Sequence, residues 1–305
     1  MITRRRLSAI PLAALVIAAG CAKIPTDDTP AAERPTNERM VVMRDGVRLA
    51  TSIYLPKGPG PWPVILKRTP YEKDVTLAID GDTFERVPIR PADTAPYTEA
   101  GYALVLQDVR GRFRSEGDYA PYEEQIEDGY DSVEWAAAQP FSNGRVGISG
   151  ASALGIHSNL AAASAPPHLV AAFVVVAPAS LFYQGRFIGG AFKRADGGGW
   201  MKSQGMGEDE IRAYAERAIL DDRWRASDFL YHRHAVQVPI YNVGGWYDLF
   251  AAGSVDNFAY LQHYGREGAR GHQKLWMGAF GHGPKLAGDL AYPGDSGLAG
   301  TFDEE

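Results

Sequence analysis

From Met40 onward the chain shows two kinds of apolar spacing. "MVVMRDGVRLATSIYLP" (40–56) is two runs of alternating apolar and polar residues joined at Asp45-Gly46, the pattern of a β-hairpin. Six short, nearly continuous apolar runs follow: "PVILK" (63–67), "YALVLQD" (102–108), "RVGIS" (145–149), "LVAAFVVVA" (169–177), "PIYNVGG" (239–245) and "KLWMGAF" (274–280). Their length and β-branched content suit strands buried on both faces, which predicts a parallel sheet covered by helices. Helical stretches fall between them: Asp128–Gln139, with Val133, Trp135 and Ala136 on one side, Ala153–Ala163, and Leu249–His263.

An opening antiparallel hairpin followed by repeated strand–helix units makes eight strands in all. That count and order predict an α/β fold of the α/β-hydrolase type, with a mostly parallel eight-stranded sheet. Between Pro178 and Gln237 the pattern changes to "DGGGW" (196–200), "EDEIRAYAERAI" (208–219) and "DDRWRASDFLYHRHA" (221–235), a helical insertion spanning about 179–237. It is expected over the carboxyl edge of the sheet, either as a cap on a substrate pocket or as a packing subdomain.

The first 20 residues belong to neither pattern. Arg4, Arg5 and Arg6 precede an apolar stretch too short to span a bilayer, and small residues lead to Cys21, the layout of a secretory signal peptide. The ending Ala18-Ala19-Gly20-Cys21 resembles a bacterial lipoprotein box, which implies lipidation of Cys21 and a membrane-anchored location in the cell envelope; an ordinary cleavage site is the alternative. Residues 21–37, rich in Pro, Thr and charge, read as a tether, leaving 38–305 as the hydrolase domain.

Composition narrows the partners. Cys21 is the only cysteine, so no intrachain disulfide and no cysteine-based metal site can form. The formal charge of −6 becomes −9 once residues 1–20 and their three arginines are removed, which argues against nucleic acid. The sequence does not indicate the oligomeric state.

The chemistry is concentrated in "GRVGISGASALGIHSNLAAA" (144–163), where an apolar run, a glycine-rich turn and an Ala-rich helix meet. As a dinucleotide loop it is misplaced, because such a loop follows the first strand of a domain and this one follows the fifth. Leu154 also sits where that loop's second glycine belongs, and no Tyr is followed four residues later by Lys. As a nucleophile turn it supplies a strand, a sharp Gly150-Ala151-Ser152-Ala153 corner and a helix whose N-terminus faces Ser152. The Ala153 amide can then point at an oxyanion. The spacing is G-x-S-x-x-G rather than G-x-S-x-G, so the motif alone is only suggestive.

A serine nucleophile needs a base, and the base needs an acid that orients it. The strand at 239–245 leads directly into "WYD", giving Asp248, and the strand at 274–280 leads into "GHG", giving His282. Ser152, Asp248 and His282 therefore follow the chain order of α/β-hydrolase triads. His157, His168, His232, His234, His263 and His272 lie within helices, ahead of strands or in the insertion, where packing and surface roles are ordinary.

At this point the sequence resembles the cocaine esterase, α-amino-acid ester hydrolase and X-prolyl dipeptidyl-peptidase family of serine hydrolases. The resemblance runs from about Met40 to His282 outside most of the insertion. It rests on "MRDGVRLATSIYLP", "KRTPYEK", "QDVRGRFRSEGDY", "NGRVGISGASALG", "VGGWYDLF" and "GAFGHG". The family shares the odd spacing after Ser152, and its pattern implies that Tyr71 donates its hydroxyl to the oxyanion beside the Ala153 amide.

Asp108, Arg110 and Arg112 are expected to form a structural ion-pair cluster beneath the site. Two departures stand out. Ala153 replaces the family's usual Tyr, and the chain stops 23 residues beyond His282, which implies that the family's C-terminal jelly-roll domain is absent or truncated.

These residues point to hydrolysis of a small ester, amide or short peptide through an acyl-enzyme on Ser152, with no metal or organic cofactor. X-prolyl dipeptidyl-peptidase activity is a second reading. A third is a non-catalytic surface lipoprotein that keeps the hydrolase fold.

Overall fold

The computed structural model describes residues 33–80 and 83–282. Residues 1–32, which include the expected leader, Cys21 and most of the expected tether, and everything after His282 lie outside the described residues.

Eight strands form one sheet: β1 (Asn37–Val42), β2 (Arg48–Tyr54), β3 (Trp62–Thr69), β4 (Ala103–Asp108), β5 (Ser142–Ala151), β6 (Leu169–Val175), β7 (Ile240–Gly245) and β8 (Lys274–Gly278). Their spatial order is β1-β2-β4-β3-β5-β6-β7-β8. β2 pairs antiparallel with β1 and β4, and all pairs from β4 to β8 are parallel. The mostly parallel sheet and its eight strands agree with the pattern read from the sequence. β4, "ALVLQD", is buried at every position, as a strand covered on both faces must be.

The helices are α1 (Pro91–Thr98), α2 (Gln125–Ala137), α3 (Ala153–Ala163), then α4 (Gly199–Ser203), α5 (Glu208–Glu216), α6 (Asp222–Ser227) and α7 (Phe229–His232) in the insertion, and α8 (Ala251–Tyr264). α3 is buried at almost every position, packed against α2, β5 and β6. Val133 and Ala136 of α2 join Val64, Leu66, Val146, Ile148 and Leu160 in the main core. The insertion continues the same core through Phe182, Phe187, Met201, Tyr214, Trp224 and Phe229.

Two features did not show in the apolar pattern. A hairpin, Val75–Asp80 with Thr83–Pro88, lies in the connection between β3 and α1. The insertion also contains two wide π-helical turns, Leu181–Arg186 and Arg194–Gly198, in which Gly185 N–H reaches Ser180 O and Gly198 N–H reaches Lys193 O.

Parallel register brings the strand ends level. Ala151 of β5 lies opposite Val175 of β6, Val175 opposite Val243 of β7, and Gly245 of β7 opposite Gly278 of β8. Residues that follow these strands therefore emerge side by side at one edge.

Candidate active site

β5 ends in a sharp corner. Ser152 has φ 55° and ψ −120°, a backbone state that costs free energy and is held by its surroundings. Its amide is bound by Val175 O at 2.9 Å, and its carbonyl accepts Ile156 N–H at 2.9 Å as α3 begins. A Cβ on Gly150 would lie 2.4 Å from the Leu154 carbonyl carbon and 2.5 Å from Leu154 Cβ. The missing side chain at 150 thus makes room for Leu154, which is how the corner tolerates Leu where a glycine is usual.

Two other corners meet this one. After β7, Trp246 N–H donates to Gly278 O at 2.9 Å and Tyr247 N–H to Phe280 O at 3.1 Å, tying the turn of Asp248 to the turn of His282. This contact requires glycine at 245, because a Cβ there would sit 2.2 Å from Phe280 O.

Ser152 Oγ lies 2.7 Å from His282 Nε2, and His282 Nδ1 lies 2.6 Å from Asp248 Oδ2. The Asp248 carboxylate is fully enclosed, and its other oxygen accepts the Phe250 amide at 2.6 Å. Phe250 meets the imidazole edge-on at 5.3 Å. With Nδ1–H held by the carboxylate, Nε2 is the basic nitrogen facing the serine hydroxyl.

Tyr71 follows β3, with its amide capped by Thr69 Oγ1 at 3.0 Å. Arg112 braces the same loop, donating to Pro70 O at 3.1 Å and to Gln204 O in the insertion at 2.8 Å. Burial pushes the Tyr71 hydroxyl above its ordinary pKa, while the Trp200 indole, the Arg186 and Arg112 cations and the Ser152 hydroxyl oppose that shift. The phenol therefore stays protonated at neutral pH and lies close to Ser152. Ala153 is the first residue of α3, so its amide has no helical carbonyl to bind and is free to serve an anion.

Trp200 is the residue that sequence reasoning missed. Its Nε1–H donates to Tyr71 Oη at 2.8 Å. Indole nitrogen is only a donor, so Trp200 occupies a lone pair of the phenol and leaves its proton for another acceptor. The "DGGGW" segment marks this position as unusual, but the partner is 129 residues away in sequence.

The expected ion-pair cluster needs partial correction. Arg110 does form it, with Asp128 at 2.6 Å and Asp45 at 2.6 Å. Arg112 bonds to carbonyl oxygens instead, and Asp108 accepts the Lys73 amide at 2.6 Å. Burial raises the Asp108 carboxyl to about 6.

A serine after β5, a carboxylate after β7 and an imidazole after β8, all at one edge of this sheet, define an α/β-hydrolase. The chain belongs to the X-Pro dipeptidyl-peptidase (S15) family, whose pattern matches residues 45–218. Cocaine esterase of Rhodococcus sp. (strain MB1 Bresler) is 38% identical over 143 residues, 47% of this chain and 24% of that protein. The chain thus spans about a quarter of the length of the curated relatives it matches. Among solved structures, an aminopeptidase from the marine sediment archaeon Thaumarchaeota archaeon superposes with a TM-score of 0.65 at 25% identity, over 88% of this chain and 51% of that one. A CocE/NonD family hydrolase from Staphylococcus aureus gives 0.62 at 26% identity, over 79% and 44%. The family is one of serine hydrolases, esterases and peptidases acting on small esters or peptides.

Proposed function

We propose that the chain hydrolyses a carboxylic ester or amide through an acyl-enzyme on Ser152. The observation that carries this reading is the unbroken line Ser152 Oγ, His282 Nε2, His282 Nδ1, Asp248 Oδ2, with contacts of 2.7 and 2.6 Å.

In acylation, Ser152 Oγ bonds to the acyl carbon as its proton passes to His282 Nε2. The carbonyl oxygen takes up negative charge between the Tyr71 hydroxyl and the Ala153 amide, with the α3 dipole adding to the stabilisation. Imidazolium then protonates the leaving oxygen or nitrogen as its bond to the acyl carbon breaks. Deacylation repeats the sequence with water: His282 takes a water proton, the new C–O bond forms, and the Ser152 ester breaks as Oγ recovers its proton. Asp248 keeps Nδ1 protonated throughout.

The test is a fluorophosphonate probe on the purified chain, with peptide mapping and Ser152→Ala as control. Labelling confined to Ser152 supports the proposal, and a folded chain that resists the probe rejects it. The similarity to cocaine esterase supports trying esters before dipeptides as first substrates. Membrane anchoring through Cys21 remains part of the proposal. Mass spectrometry of the mature N-terminus tests it, an unmodified Cys21 being the adverse result.

A further inference from the structure

We infer that the substrate carries a carboxylate on its acyl portion and that Arg186 receives it. The inference rests on the hydrolase reading above and names the substrate class of that site.

Arg186 ends the first π-helical turn and is 4% exposed. Among the described residues it forms no ion pair. Nε and Nη2 have no hydrogen-bond partner, and Nη1 reaches only Gly185 O, at 3.3 Å. The guanidinium lies 5.1 Å from the Trp200 ring and 5.7 Å from the Tyr122 ring, which stack on each other at 5.5 Å. Tyr122 is held at φ 68°, so this arrangement is maintained against backbone strain.

The neighbouring cations are already neutralised or engaged. Lys193, whose amide donates to Arg186 O at 2.8 Å, pairs with Asp196 at 3.5 Å and donates to Gln184 O at 3.3 Å. Arg112 donates to Pro70 O and to Gln204. The phenols of Tyr71, Tyr119, Tyr122 and Tyr214 feel the Arg186 charge, and each stays protonated because burial raises it.

A buried guanidinium with unpaired donors is costly, and ring faces offset only part of that cost. A negative partner would recover it, and the proposed reaction brings two candidates. The oxyanion is already provided with Tyr71 and Ala153, and the Trp200 indole intervenes between Tyr71 and Arg186. A carboxylate on the substrate is the other. His282 must protonate the leaving group, which assigns that group to the side of His282 and Phe250; Arg186 neighbours Tyr71 through Trp200, and we assign the acyl chain to that side. The class is therefore a monoester or monoamide of a dicarboxylic acid.

The experiment compares the mono-p-nitrophenyl ester of adipic acid with its isostere bearing a primary amide in place of the free carboxylate, using the full chain. Wild type should favour the carboxylate in kcat/KM by roughly tenfold to a hundredfold, the worth of a charge-assisted contact. Arg186→Met should bring the ratio close to one, and Arg186→Lys should restore part of it. Equal rates in wild type, a preference for the neutral ester, or a ratio that survives Arg186→Met overturns the inference. Because wild type alone gives the first two results, a variant that fails to fold does not protect it. Binding is read separately: adipate should raise the unfolding midpoint of Ser152→Ala and leave that of Ser152→Ala/Arg186→Met unmoved. Adipate binding without fluorophosphonate labelling would reject the hydrolase reading alone, and labelling without a carboxylate preference would reject this one alone.

Discussion

Asp248→Asn separates an acid that orients the base from one that merely fills space. Both Asp248 oxygens are engaged, Oδ2 by His282 Nδ1 and Oδ1 by the Phe250 amide, each at 2.6 Å in a fully enclosed position. An amide offers one oxygen and one NH2 group. If its oxygen faces Phe250, the NH2 faces Nδ1, which must then be the unprotonated nitrogen. Nε2 then carries the proton and cannot accept the one on Ser152. If its oxygen instead faces His282, two N–H groups oppose each other in a dry pocket, at a cost of about 1–3 kcal/mol in stability. The first arrangement avoids that cost and disables the base. Its effect on kcat is roughly 10³–10⁴-fold, about 4–5 kcal/mol of transition-state stabilisation. Release of p-nitrophenol from an acyl ester, measured beside the unfolding midpoint, is the assay. A loss below tenfold in a normally stable variant would refute the reasoning.

Trp200→Phe keeps the ring and removes the donor to Tyr71, so kcat should fall about tenfold, and the same change in a Tyr71→Phe background should add little; equal losses in both backgrounds would show that the two residues act separately. Gly150→Ala forces a Cβ to within 2.4 Å of Leu154 backbone, and chemical denaturation should show a loss of about 2–4 kcal/mol; wild-type stability would mean that the corner can relax. His157 is 1% exposed, and burial, reinforced by the Arg68 cation, holds its pKa well below the ordinary value. The unfolded chain therefore takes up a proton near pH ~6.5 that the folded chain refuses, and stability is lost as pH falls, by up to ~1.4 kcal/mol per pH unit. His157→Gln should flatten that slope between about pH 7 and 5 in urea titrations; an unchanged slope would place the titration elsewhere.

Apolar runs such as "LVAAFVVVA" carry β6 in their own composition, because a strand buried on both faces has no polar position to interrupt it. The same logic made α3 legible, since "ALGIHSNLAAA" begins where the glycine turn ends. Ser152, Asp248 and His282 could be singled out because each directly follows a recognisable strand. The hairpin at 75–88 escaped notice because "VTLAID" and "TFERVP" mix charge into runs too short to stand out.

Local sequence thus determined the strands, the nucleophile corner and the order of candidate residues, since backbone preference and burial act over a few neighbouring positions. What tertiary structure alone decided is which side chains meet across long separations. The insertion leaves no trace in the sequence of whether it caps or merely packs. In the fold it packs, burying Trp224 and Phe229 in the core, and it also brings Trp200 to Tyr71. The orphaned guanidinium of Arg186 is equally invisible in a linear chain, because its lack of a carboxylate partner among the described residues depends on which segments fold around it.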